Sequence, residues 1–155
     1  MNFGKFCNHC GKIFYGERCS CQKNVKRKQY DNSFYHGKHW IQLSKFIKSR
    51  DYLQDRLVMY FRKIYSSKTT IPSNEITRRL YYYCITPEGN ARFNNDKLIV
   101  HHIIPRDEDA SKQYDINNLI TVSNNIHEFI HQLYKSGCKE EVQKLLQSAV
   151  KEMLP

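Results

Sequence analysis

Two histidines four residues apart, His127 and His131 in the stretch HEFIH, constrain this chain more than any other feature. On a helix such residues share a face, so both imidazoles reach one ion. The stretch also fits H-E-x-x-H, in which two histidines hold zinc and the glutamate, here Glu128, is the base of a metalloprotease. That reading needs a third ligand. The extended H-E-x-x-H-x-x-G-x-x-H form fails, because Tyr134 and Gly137 occupy its glycine and third-histidine positions. Glu152 is a remote alternative, set among the apolar positions of a terminal helix.

LIVHHIIP supplies a better third ligand, with His101 and His102 side by side at the end of a strand, just before Pro105. Adjacent strand residues point to opposite faces, so a regular strand cannot aim both at one spot. At a strand end entering an irregular loop the two can take different roles. One completes a three-imidazole metal site; the other, neutral near pH 7, removes a proton from water. The alternative is a core histidine pair, but burying two imidazoles without partners is costly.

Four of the six cysteines fall early: Cys7, Cys10, Cys19 and Cys21. C-x2-C-x8-C-x-C sets two close pairs on either side of a short loop, as a tetrahedral thiolate zinc site requires. A zinc knuckle or ribbon is expected, with ordinary reduced cysteines as the alternative. QKNVKRKQ follows, and its Lys23, Lys26, Arg27 and Lys28 form a solvated linker able to lie along phosphates or to serve as a plain tether. Lys and Arg outnumber Asp and Glu by 25 to 15, a formal charge of +10. That excess favours a polyanionic partner, most simply nucleic acid. Neither a signal-peptide h-region nor a stretch apolar enough to cross a bilayer is seen, so a cytoplasmic, reducing location and no membrane are the expectation.

Apolar spacing predicts two amphipathic helices between Ser33 and Tyr65, one carrying Trp40, Leu43, Phe46 and Ile47, the other Leu53, Leu57, Tyr60, Phe61 and Ile64. Pro72-Ser73-Asn74-Glu75 starts a short helix ending by Arg79 or Leu80. RLYYYCI and KLIVHHI read as two strands of a hairpin with a long irregular connection. After a polar loop and INNLITVS, Ser123 or Asn124 caps a helix through HEFIHQLY that stops at Gly137. Val142, Leu145, Leu146, Ala149, Val150 and Met153 mark a last helix from Glu140 to Leu154.

H-H-I-I-P, then Y-D-I-N-N-L-I-T-V, then H-E-F-I-H together resemble the HNH (ββα-metal, His-Me finger) nuclease motif, in which two strands and a helix clasp one divalent ion. The paired histidines at both ends are most similar to those of the DNase colicins. FYHGKHWIQLSKFIKSRD and the VHHIIP block resemble the HNH endonucleases of bacteriophage genomes. The motif match covers about residues 100–131, with weaker similarity back to Phe34.

The resemblance implies an α+β fold: a ββα-metal core at about 81–134 within a nuclease domain at 29–155, with additional helices, preceded by a zinc-ribbon-like segment and basic linker at 1–28. It implies metal-dependent hydrolysis of DNA phosphodiester bonds, leaving 5′-phosphate and 3′-hydroxyl ends, in the cytoplasm of a bacterial host. His101, His127 and His131 would hold one divalent ion (Mg, Mn, Ni, Co or Zn), His102 would be the general base, and Asn118 would order the loop and the base. Many relatives carry an aspartate where His101 stands. A structural zinc on the four cysteines, DNA contacts from the linker and Arg106, and a protein partner if the role is packaging or mobility complete the expectation. Phage relatives often have two further CxxC pairs that this chain lacks; packing, or the insertion from Ser66 to Arg79, must then hold the core. Two rival readings stay open: a zinc peptidase dependent on Glu128, and a nonenzymatic zinc-ribbon DNA-binding protein.

Overall fold

The computed structural model describes residues 5–6, 13–14, 20, 33–66, 71–85 and 97–152. The chain divides into two compact units, Met1–Phe34 and Tyr35–Pro155. In the first, β1 (Lys5–Phe6) pairs antiparallel with β2 (Ile13–Phe14). The expected zinc ligands Cys7, Cys10, Cys19 and Cys21 lie outside the described residues, as do Lys23, Lys26, Arg27 and Lys28.

A short helix α1 (Ser33–His36) leads into α2 (Lys38–Arg50), where Trp40 and Ile47, seven residues apart, are buried. Phe46, expected on that face, is 54% exposed. The helix ends as Tyr52 and Leu53 take left-handed φ values of 56° and 55°, an uncommon conformation for side chains of that size. Leu53 therefore stands outside α3 (Arg56–Ile64) and is exposed. Asp55 begins α3, its carboxylate accepting from the Leu57 and Val58 amides at 3.0 and 3.1 Å, which satisfies two donors left over by the helix start.

The helix opened by Asn74, whose Oδ1 accepts from the Thr77 amide at 2.9 Å, does not stop near Leu80. It runs as α4 from Glu75 to Ile85, so the stretch RLYYYCI is helix rather than strand. Ile76, Leu80 and Cys84 are buried at four-residue spacing, a helical stripe that outweighs the weak strand preference of three tyrosines.

β3 (Leu98–His102) finds its partner later in the chain, in β4 (Leu119–Ser123). The pair is antiparallel, with His101 opposite Ile120 and His102 opposite Leu119, and the polar loop plus two 3-10 turns, Ala110–Lys112 and Ile116–Asn118, form the connection. Helix α5 (Asn124–Lys135) follows directly from Ser123, and Gly137 at φ 88° ends it as predicted. Helix α6 (Lys139–Lys151) completes the described fold; Met153 lies outside the described residues.

One face of the sheet gives Ile120 and Val122 to a core closed by Leu57, Phe61, Leu80, Ile126, Ile130 and Leu146. The outer edge of β4 is satisfied by side chains. Asp51 and Asp55 accept from the Thr121 and Ser123 amides at 2.8 and 2.6 Å, and the Arg50 guanidinium donates to the Leu119 and Ile116 carbonyls at 2.8 and 2.7 Å. Asp51 is held in turn by Arg50 and by buried Arg56, which also donates to the Ala149 and Val150 carbonyls at the end of α6. A two-stranded sheet, marginal alone, is thereby tied to three helices. Among the described residues no helix is long and apolar enough to cross a membrane.

Candidate metal centre

The β3–β4 register fixes which way the adjacent histidines face. Strand alternation turns His101 towards α5, where His127 and His131 stand one helical turn apart. Ring centroids are 5.1 Å from His101 to His127, 5.3 Å from His101 to His131 and 4.4 Å between the helical pair. One nitrogen from each ring lies within 4.8 Å of the others, and this is the trio among the described residues arranged to hold a metal ion.

One detail is compatible with an ion, and a second favours an ion over a hydrogen-bonded cluster. The Nε2 atoms of His127 and His131 are 3.1 Å apart, within hydrogen-bond reach of each other and also close to the roughly 3.3 Å that two nitrogens at zinc-like bond lengths span in tetrahedral geometry. His101 Nε2 is buried with no hydrogen-bond partner, a costly state for an isolated imidazole and the state a ligand nitrogen needs. The local field also keeps the trio neutral. Burial, and then His127 and His131, hold His101 well below the usual histidine range. Burial and His131 push His127 down to about 4, and burial and then Lys135 lower His131. Neutral imidazoles are the ligand form. Tyr134 closes the far side, its ring 5.9 Å from that of His101 and its hydroxyl donating to the Ile103 carbonyl at 2.9 Å.

His102 occupies a different environment. Its ring stacks on Trp40, centroids 4.9 Å apart and planes at 16°, and Nε2 is 3.0 Å from the Gln113 carbonyl oxygen. A carbonyl accepts only, so Nε2 carries the proton and Nδ1 the basic lone pair. Burial lowers its pKa, the Gln113 contact opposes this, and Arg106 lowers it further.

Asn118 is buried and clamps the loop that follows β3. Its Oδ1 accepts from the Ile104 amide at 2.8 Å, and its Nδ2 donates to the Ile104 and Lys112 carbonyls at 3.0 and 3.2 Å. Asn117 is exposed. Glu128 is exposed as well and accepts from Asn124 at 3.0 Å; Glu152 is also exposed. Arg106 lies with its guanidinium carbon 5.4 Å from the Tyr35 ring centroid. The partners of His102, Trp40 and Gln113, were not singled out by the sequence: Trp40 reads as one more apolar helix position, and a backbone carbonyl has no residue signature.

No curated protein and no solved structure matches the chain. Residues 83–128, the segment that carries His101, His102, Asn118 and His127, match the HNH endonuclease family model.

Proposed function

We propose that the protein is a metal-dependent endonuclease that hydrolyses DNA phosphodiester bonds. The observation that carries this reading is the convergence of His101, His127 and His131, with an unpartnered buried Nε2, one residue from a histidine whose tautomer is set by a backbone carbonyl.

In this reading His101, His127 and His131 hold one divalent ion, and imidazole donors suit Zn, Ni, Co or Mn better than Mg on softness. When bound, the ion supplies positive charge against the scissile phosphate and its leaving oxygen. His102 does the proton chemistry: Nδ1 takes a proton from water as the water oxygen bonds to phosphorus and the P–O3′ bond breaks. Asn118 acts at a distance, holding Ile104 and Lys112 so that the loop bearing Gln113 keeps its place beside His102. Arg106 and the basic linker residues Lys23, Lys26, Arg27 and Lys28 meet phosphate, in keeping with the +10 charge. The resemblance of FYHGKHWIQLSKFIKSRD and VHHIIP to phage HNH endonucleases is what supports an activity in a bacterial host's cytoplasm. The exposure of Glu128 argues against a peptidase, whose base must face the metal.

Supercoiled plasmid incubated with each divalent ion tests the proposal. Wild type should nick or linearise it, His102→Ala should lose about 10²- to 10⁴-fold in rate, and Glu128→Ala should stay within twofold. Loss confined to Glu128→Ala, or no cleavage by wild type with any ion, overturns the proposal.

A further inference from the structure

We infer that Trp40 is a positioning residue for His102, its indole plate holding the imidazole in the orientation in which Nε2 meets the Gln113 carbonyl. The role in catalysis rests on the nuclease reading above; the holding of the ring does not.

Trp40 is only 7% exposed, yet it lies outside the main apolar cluster of the fold. Its flat face is spent on a polar ring, 4.9 Å away and nearly parallel. Tyr35 meets Trp40 edge-on at 5.5 Å and 84°, so the plate is itself braced. Ile47, seven residues on and fully buried, lies outside that cluster as well, so the stack on His102 is what sets Trp40 apart.

An imidazole can flip about its outer bond, exchanging each nitrogen with a carbon. The flip carries the ring edge out of its plane, into the space the indole fills. The carbonyl bond favours one of the two flip states by an amount on the order of tenfold, while the stacked contact, alike for both, holds the ring plane and slows the exchange between them. Together they keep the proton on Nε2 and aim the Nδ1 lone pair in one direction, as a base must be aimed at the water it deprotonates. Strand register alone does not do this, because it fixes the backbone and leaves the outer torsion open.

Long-range ¹H–¹⁵N spectra of the imidazoles, read beside plasmid cleavage with Mn²⁺, test the inference on the full chain. Wild type should show His102 as a single Nε2–H tautomer with ring protons shifted upfield by the indole. Trp40→Leu, which removes the plate, should give mixed tautomers or ring-flip broadening, about a tenfold lower kcat, and KM and Mn²⁺ affinity within about twofold. Trp40→Phe, which keeps a plate, should restore the single tautomer and most of kcat. A folded Trp40→Leu protein with unchanged tautomer and kcat overturns the inference; so do unshifted His102 ring protons in wild type, a result that decides even if Trp40→Leu does not fold. Tautomer loss in Trp40→Leu with no cleavage by wild type would uphold the positioning of the ring and sink the nuclease reading instead.

Discussion

His101 and His102 are neighbours of the same residue type on one strand, and the fold gives them opposite surroundings. His101 faces two more imidazoles, and its buried Nε2 has no hydrogen-bond partner. His102 faces an indole plate and a carbonyl that settles its proton. The difference comes from the two-residue period of a strand and from what each face packs against: α5 on one side, α2 and the connecting loop on the other. Under the proposed function, one strand end thus offers a ligand nitrogen and a directed base without a second element to carry the base.

The largest expected effect separates the two. His102→Ala should cost about 10²- to 10⁴-fold in cleavage rate while leaving Mn²⁺ affinity intact, whereas His101→Ala should weaken both. Equal loss of metal affinity in the two variants would erase the distinction. Next in size is a change that should strike both histidines alike. Asp51 accepts from buried Arg56, from Arg50 and from the Thr121 amide of β4, so Asp51→Asn should destabilise the protein by about 3–5 kcal/mol, the cost of breaking a buried ion pair. Chemical denaturation measures this, and a loss under about 1 kcal/mol would mean the strand does not depend on that carboxylate.

A smaller effect sharpens the His101 side. Divalent metal at a hundred times its Kd should raise wild-type stability by about 2.7 kcal/mol. His131→Ala should lose most of that gain and His102→Ala none, as thermal melts with and without ion would show. The smallest effect concerns pH. His127 is held at about 4, below its ordinary 6.5, so between these values the unfolded chain binds the extra proton. Metal-free stability from this group is present above pH 6.5 and lost as pH falls towards 4. Asp55 works the other way: burial raises it to about 6, so its contribution is present below about 4 and lost as pH rises through 6. Asp55→Asn should therefore steepen the rise of stability between pH 4 and 6, and an unchanged slope would contradict the assignment.

Much of the candidate site was legible in the sequence because its histidines have a spacing signature. The four-residue interval of His127 and His131, the His101–His102 pair before Pro105 and the stop at Gly137 are local features, and local rules read them. What failed was decided by tertiary contacts. RLYYYCI has the aromatic look of a strand, but burial of Ile76, Leu80 and Cys84 against the core makes it helix. β4, the true partner of β3, lies beyond a long connection that reads only as a polar loop, so no local rule pairs the two strands. Phe46 and Leu53 looked apolar enough to bury; one falls at the edge of its helix stripe and the other in the left-handed turn after Asp51. The stack of Trp40 on His102 joins residues 62 positions apart (102 minus 40), and spacing rules do not reach that far.

The central claim is that three imidazoles share one ion and His102 stands apart from it. Electron spin-echo spectroscopy of bound Mn²⁺ tests this most directly, because imidazole nitrogens modulate the echo and the thiolates of the early cysteines disfavour this ion. The account predicts nitrogen modulation in wild type that is retained in His102→Ala and reduced or lost in His127→Ala. Modulation unchanged in His127→Ala, or abolished in His102→Ala, would contradict it.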